Sequence, residues 1–310
     1  MDETSAMTEC ERIVAQGILP QSFFDEERIC DFLVTKERKK LWAVGIDMLV
    51  RFDQVCRQHD LQYSLAFGSL LGCVRHHGFI PWDDDIDVFM PRKDYERLKK
   101  YRKTFKDPYY LQFPGCDNGY SFSFAKLRNS NTTGISYAFR YESFNQGFFI
   151  DIFPLDNYCP QNIDADIKTI KHLVAESSAF MRRSCPRPDE NDLKKLEQFP
   201  VVRNGNEIVK ELDQALRKYE FYKSDCYIAW SILTYDFKRL VFKKELFDDL
   251  IETAFYGHTV FIPRRYKEAL TITYGDYMEL PPVSERGAWH SKEIFNPDVP
   301  YKESLSKMRL

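Results

Sequence analysis

Between residues 83 and 87 the chain reads Asp-Asp-Asp-Ile-Asp, four carboxylates in five positions, directly before the apolar run Val88-Phe89-Met90. Such a cluster cannot be buried without compensating charge, because like carboxylates raise one another's pKa and lose hydration on burial. The alternation predicts a strand over 85–90, closed by Pro91. On a strand, Asp83, Asp85 and Asp87 share one face while Ile86 and Val88 take the other. Carboxylates two apart stand ~7 Å from each other along that face, which suits a hard divalent cation held between them. Magnesium sharing phosphate oxygens is the expected occupant, with manganese as the alternative.

Upstream, Tyr63–Phe67 reads as a short strand, Gly68-Ser69 as its end and Leu70–Arg75 as a helical turn or two. A glycine at a strand-to-helix junction lets backbone approach a phosphate, and the Ser69 hydroxyl with the helix-start N–H groups can bind it. Strand, Gly-Ser and helix, followed by a strand bearing Asp-hydrophobic-Asp, is the arrangement of nucleotidyltransferases that move phosphoryl groups by two-metal chemistry. Asp151 is the candidate third carboxylate, a lone charge in the apolar strand Gly147–Phe153. Buried alone it would be costly, so a metal or a basic partner is expected beside it. The bland reading is a solvated acidic loop and an ordinary helix cap.

Lys126 and Arg128 lie two apart on an expected strand and face one way, as a diphosphate clamp or a solvated sheet edge. Thr132 and Thr133 offer hydroxyl contacts. Arg75 ends the short helix and is a candidate substrate contact, with capping as the simple alternative, and His76-His77 reads as surface more readily than as ligand. Trp82 is expected to pack beneath the aspartates. Tyr137, Phe139, Tyr141, Phe144 and Phe148 crowd the approach to Asp151 and could form an aromatic cage for a quaternary ammonium.

The 310 residues carry a net charge of −3, so no bulk basicity marks a nucleic-acid binder. The eight cysteines form no CxxC pair and read as free thiols of a reducing compartment. The acidic start Met1–Ser5 lacks the flank and core of a signal peptide, and no stretch approaches the roughly 18 apolar residues of a bilayer span. A cytoplasmic protein is expected. By pattern, 1–34 is a loosely packed lead-in and 35–159 an αβ core with a helix over 37–59. Helical patterns at 164–181 and 207–219 make 160–222 a helical insertion, with Cys185–Asn206 as its mobile loop. The segment 223–310 packs on the core and includes a strand at Thr259–Ile262.

The segments FGSLLGCVRHHGFIPWDDDIDVFMPRKDYERL (67–98), AKLRNSNTT (125–133), GFFIDIFPLD (147–156) and YGDYMELPP (274–282), with Arg286 and His290 nearby, resemble the LicD family of phosphotransferases, related to the fukutin-type proteins. They span residues ~40 to ~290 in family order. The resemblance implies an α+β fold, a nucleotidyltransferase-like mixed sheet flanked by helices. It implies transfer of a phosphorylated small alcohol, typically phosphocholine, from a CDP-linked donor to a hydroxyl of a surface glycan, releasing CMP. A lipid-linked acceptor would bring the protein to the inner face of the membrane. Asp85, Asp87 and Asp151 take the family's carboxylate positions as catalytic and metal-binding residues. Gly68 and Ser69 take its Gly-Ser, here preceded by the bulkier Ala66-Phe67. Tyr274, Asp276 and Tyr277 are candidates for holding the nucleotide, with Arg286 and His290 beside them. Competing readings are a nucleotidyltransferase that makes the CDP-alcohol from CTP, and a non-catalytic glycan- or nucleotide-binding protein. Ethanolamine, ribitol, glycerol and aminoethylphosphonate stand as alternative headgroups, and no residue discriminates among them.

Overall fold

The computed structural model describes residues 7–136, 139–186, 188–200, 203–221, 223–229, 236–287 and 293–308. Helix α1 (Glu9–Ala15) is capped by Thr8, which forms a reciprocal box with Glu11. The hairpin β1 (Glu27–Ile29) and β2 (Phe32–Val34) leads into α2 (Lys36–Gln58), whose cap Thr35 accepts from the Arg38 N–H. The expected apolar stripe on α2 is wider than its spacing implied, since every residue from Trp42 to Leu49 is buried. The cause is the lead-in. Ile13, Phe24 and Val34 join the main hydrophobic cluster, and Arg12 on α1 reaches buried Asp47 on α2 at 2.6 Å. Residues 9–34 are therefore packed structure and not a loose tail.

There follow β3 (Ser64–Leu65), α3 (Phe67–His76), β4 (Asp87–Pro91), α4 (Arg92–Leu98), β5 (Tyr109–Gln112), β6 (Ala125–Asn129), β7 (Thr133–Ser136) and β8 (Phe148–Asn157). The ten-residue β8 is buried over nine positions and reads as the near-continuous apolar run of a central strand. Along one flank it pairs in parallel with β4, which carries β3 antiparallel at the edge. Along the other flank its first half pairs antiparallel with β6, and β6 with β5.

The chain continues through α5 (Ile163–Arg182), α6 (Glu190–Glu197) and α7 (Gly205–Leu216), then β9 (Cys226–Ile228) and β10 (Val241–Lys243), which extend the sheet from the far end of β8. The polar stretch expected as a mobile loop contains α6, because Asp189 caps it through the Asp192 N–H and Arg182 of α5 binds Asp192 at 2.9 Å. After α8 (Glu245–Asp248), strands β11 (Leu250–Phe255) and β12 (His258–Pro263) form a hairpin through Tyr256-Gly257, both at positive φ. Helix α9 (Tyr266–Tyr274) precedes β13 (Glu293–Asn296), which pairs with β7, and α10 (Tyr301–Met308) ends the described chain.

The architecture is α+β, a mixed sheet of seven described strands with helices packed around it. One cluster of buried side chains draws on the lead-in, the sheet, α5, α7 and the β11–β12 hairpin together. All eight cysteines are free thiols. Among the described residues no helix is long and apolar enough to cross a membrane.

Candidate acidic site

Asp151 on β8 stands in register with Asp87 on β4 to one side and with Lys126 on β6 to the other. Residues opposite one another across a ladder present their side chains to the same face. Three neighbouring strands therefore place carboxylate, carboxylate and ammonium in one row. Strand β4 begins at Asp87 and not at Asp85, so Asp83–Ile86 is irregular chain. Asp85 nevertheless joins the group, with carboxylate oxygens of Asp85, Asp87 and Asp151 all within 4.8 Å of one another. Main-chain bonds fix this approach. The Asp151 N–H donates to the Ile86 carbonyl at 2.8 Å and the Ala66 N–H to the Asp87 carbonyl at 2.9 Å.

Lys126 is the basic partner that a carboxylate in an apolar strand required. Its Nζ lies 2.5 Å from Asp151 Oδ1 and 3.3 Å from the centroid of the Phe149 ring. Burial pushes the lysine pKa below its ordinary range, and the Asp151 carboxylate pulls it back up.

Asp83, Asp84 and Asp85 form a second trio with oxygens within 4.8 Å. Helix α2 supports it from behind, with Arg38 Nη1 and Trp42 Nε1 donating to the Asp83 carbonyl at 2.8 and 2.9 Å. Neither residue was singled out from the sequence, where only the surplus of negative charge asked for a cation somewhere. Gly68 has a steric reason, since a Cβ there would lie 2.6 Å from Asp83 Oδ2. Phe67 before it sits at φ +40° and packs its ring against Phe89 and Phe153.

The carboxylates floor a cavity of about 580 Å3. Its opposite wall is the end of α9 and the segment after it, including Tyr274, Asp276, Tyr277, Glu279 and Glu285. Arg75 staples that wall to α3, Nη1 donating to the carbonyls of Tyr277 and Glu279 at 2.8 and 3.1 Å, while Nε donates to His76 Nε2 at 2.9 Å. Burial, with Arg75 alongside, pushes the His76 pKa down to about 4. Arg286 braces the same wall from outside, donating to the carbonyls of Pro281 at 2.9 Å and Cys30 at 2.8 Å, with its guanidinium 5.2 Å from the Trp82 ring centroid.

Several expected contacts fall elsewhere. The Ser69 hydroxyl does not face the cavity as a phosphate ligand; it is buried and accepts from the Asp87 N–H at 2.8 Å. Arg128 does not clamp the site with Lys126. It is buried two residues along β6, opposite Phe149, and donates to Gln112 Oε1 at 2.6 Å and the Gly147 carbonyl at 2.8 Å. Thr132 closes a turn by donating to the Asn129 carbonyl and accepting from the Phe148 N–H. Thr133 donates to the Val299 carbonyl and meets Ser304, tying down α10.

Among the described residues before Asp151 no aromatic cage forms. Phe139 and Phe144 pack with Tyr120 and Met181 in a separate cluster, Tyr141 lies beside Arg140, and Phe148 packs against Phe149 and Phe295. Tyr137 and His290 lie outside the described residues. The rings that do line the cavity are Phe67, Trp82, Phe153, Tyr274 and Tyr277.

Residues 60–169 match the family model described as LicD/FKTN/FKRP, nucleotidyltransferase domain. The chain is 30% identical over 269 residues to the lipopolysaccharide cholinephosphotransferase LicD of Haemophilus influenzae, covering 81% of this chain and 95% of that protein. Shorter matches, 34% identical over 53 residues, join it to uncharacterized proteins of Rickettsia prowazekii and Rickettsia typhi, spanning 17% of this chain and 20% and 17% of theirs. The cavity's floor lies inside the matched domain and its opposite wall beyond it.

Proposed function

The chain belongs to the LicD family, and from that premise we propose that it transfers phosphocholine from a CDP-linked donor to a sugar hydroxyl of a lipopolysaccharide-type glycan, releasing CMP. The observation that carries this reading is the convergence of Asp85, Asp87 and Asp151, whose oxygens lie within 4.8 Å of one another on the cavity floor. Three carboxylates at that spacing fit the all-oxygen donor set of magnesium. Magnesium bound there would supply positive charge against the donor's diphosphate.

The protein's own residues would do the rest. Lys126 fixes the orientation of Asp151 and offsets its charge. Ser69 holds the Asp87 backbone, and Gly68 leaves room for the Asp83 carboxylate. The acceptor hydroxyl attacks the phosphorus next to choline in line with the leaving group. The new P–O bond forms as the bond to CMP breaks, CMP departs with the electron pair, and the hydroxyl proton passes to a carboxylate on this face.

A cationic headgroup is favoured over ribitol or glycerol by the opposite wall. It offers the rings of Tyr274 and Tyr277 together with the carboxylates of Asp276, Glu279 and Glu285, a combination that attracts a quaternary ammonium. The test is a donor panel of CDP-choline, CDP-ethanolamine, CDP-ribitol and CDP-glycerol, each with magnesium, with and without lipopolysaccharide. The expected result is CMP from CDP-choline, lost in Asp87→Asn. Pyrophosphate from CTP and phosphocholine would instead mark a cytidylyltransferase. Thermal stabilisation by CDP-choline without turnover would mark a binding protein.

A further inference from the structure

A second cleft, of about 360 Å3, lies away from the carboxylates, between α4, the β5–β6 connection and α7. That volume suits a small molecule, and such sites favour junctions between separately built parts of a chain. Phe122, Val209 and Leu212 give it apolar walls. Tyr95 lines it too, 1% exposed, and its hydroxyl finds no partner among the described residues. That hydroxyl is fully buried, so the polar chemistry the cleft offers a ligand is that of its charged side chains.

The cations of the cleft differ in what they hold. Arg92 is spent on Asp156 through two bonds of 2.7 Å, and Asp213 lies 3.9 Å from the same guanidinium. Lys99 reaches Glu96 at 2.7 Å, and its ammonium lies 5.6 Å from the Tyr95 ring centroid. Lys210, exposed on α7, has no ion-pair partner among the described residues. An apolar pocket with two lysines at its margin is shaped for an oxyanion on a hydrocarbon body.

We propose that this cleft is a second binding site, for a small amphipathic anion whose apolar body lies on Phe122 and Leu212 and whose oxygens meet Lys99 and Lys210. One ring separates it from the acidic site, since the Phe122 centroid lies 5.7 Å from the Lys126 ammonium.

The test is calorimetric titration of the full chain, in EDTA, with n-hexyl phosphate, n-hexanoate, n-hexanol and inorganic phosphate. Hexyl phosphate is expected to saturate one site, at least about tenfold tighter than hexanol or inorganic phosphate. Hexanoate reads whether a carboxylate serves as well as a phosphate, and saturable binding of either ester or acid supports the site. Val209→Trp, which fills the cleft, abolishes binding. Lys210→Glu, a surface change that keeps the test readable if the first variant does not fold, weakens it about fivefold. Asp87→Asn leaves it unchanged. Failure of both anions to saturate, binding that survives both cleft variants, or loss of binding in Asp87→Asn would each overturn the proposal.

Discussion

Lys126 and Asp151 face each other across β6 and β8, Nζ to Oδ1 at 2.5 Å, with side chains only 6% and 8% exposed. A pair this dry contributes little net stability while intact but is costly to break, about 3–5 kcal/mol, because the survivor is a buried charge. Lys126→Met should therefore lower stability by roughly 3 kcal/mol in urea melts without divalent ions. If a cation binds Asp151, magnesium should restore part of that loss in the variant and add less to the wild type. An equal effect of magnesium on both proteins would disprove this coupling.

Asp85→Asn and Asp87→Asn remove charge from a crowded group, so the fold should be unharmed or slightly stabilised. Transfer should nevertheless drop by roughly 10²–10³-fold in each, the scale of losing one group that stabilises transition-state charge. CMP release and melting temperature, measured on the same preparations, separate the two effects.

Two glycines of α3 should fail in different ways. At Gly68 an added Cβ would meet a side chain, Asp83 Oδ2 at 2.6 Å; at Gly72 it would meet backbone, the Gly78 carbonyl at 2.4 Å and the Ile80 nitrogen at 2.9 Å. Gly68→Ala should keep near-normal stability and lose about tenfold or more in transfer as the carboxylate turns away. Gly72→Ala should lose about 2–3 kcal/mol of stability. Chemical denaturation beside a CMP assay would show the split, and the reverse ranking would refute it.

His76 should make the fold acid-sensitive. Its pKa is held at about 4 in the fold against 6.5 for a free histidine, because burial and Arg75 disfavour the imidazolium. The unfolded chain thus takes up a proton that the folded chain refuses. The stabilisation is complete above pH 6.5 and is lost as pH falls toward 4, by roughly 1–2 kcal/mol after allowance for partial exposure. Urea melts across that window should show the slope, and His76→Gln should flatten it.

The long helix over 36–58 and the three carboxylates were legible because each leaves a periodic or chemical trace in sequence. Alternation assigned Lys126 and Arg128 to one face, and they do share it. What it could not assign was the rung. Lys126 pairs with Asp151 whereas Arg128 pairs with Phe149 and binds Gln112 and the Gly147 carbonyl instead. Likewise no short-range pattern says that Arg12 will find Asp47, so the lead-in read as loose chain. Ser69 looked like a ligand because a hydroxyl's sequence context does not reveal that the Asp87 N–H will claim its oxygen.

The register of β8 against β4 has a wider consequence. Side chains alternate faces along a strand, so a slip of one residue between these parallel strands would turn Asp151 away from Asp87. The same slip would bury a carboxylate where Ile150 or Ile152 belongs. A slipped sheet therefore has no acidic row at all: the three carboxylates meet only in chains whose strands have aligned correctly.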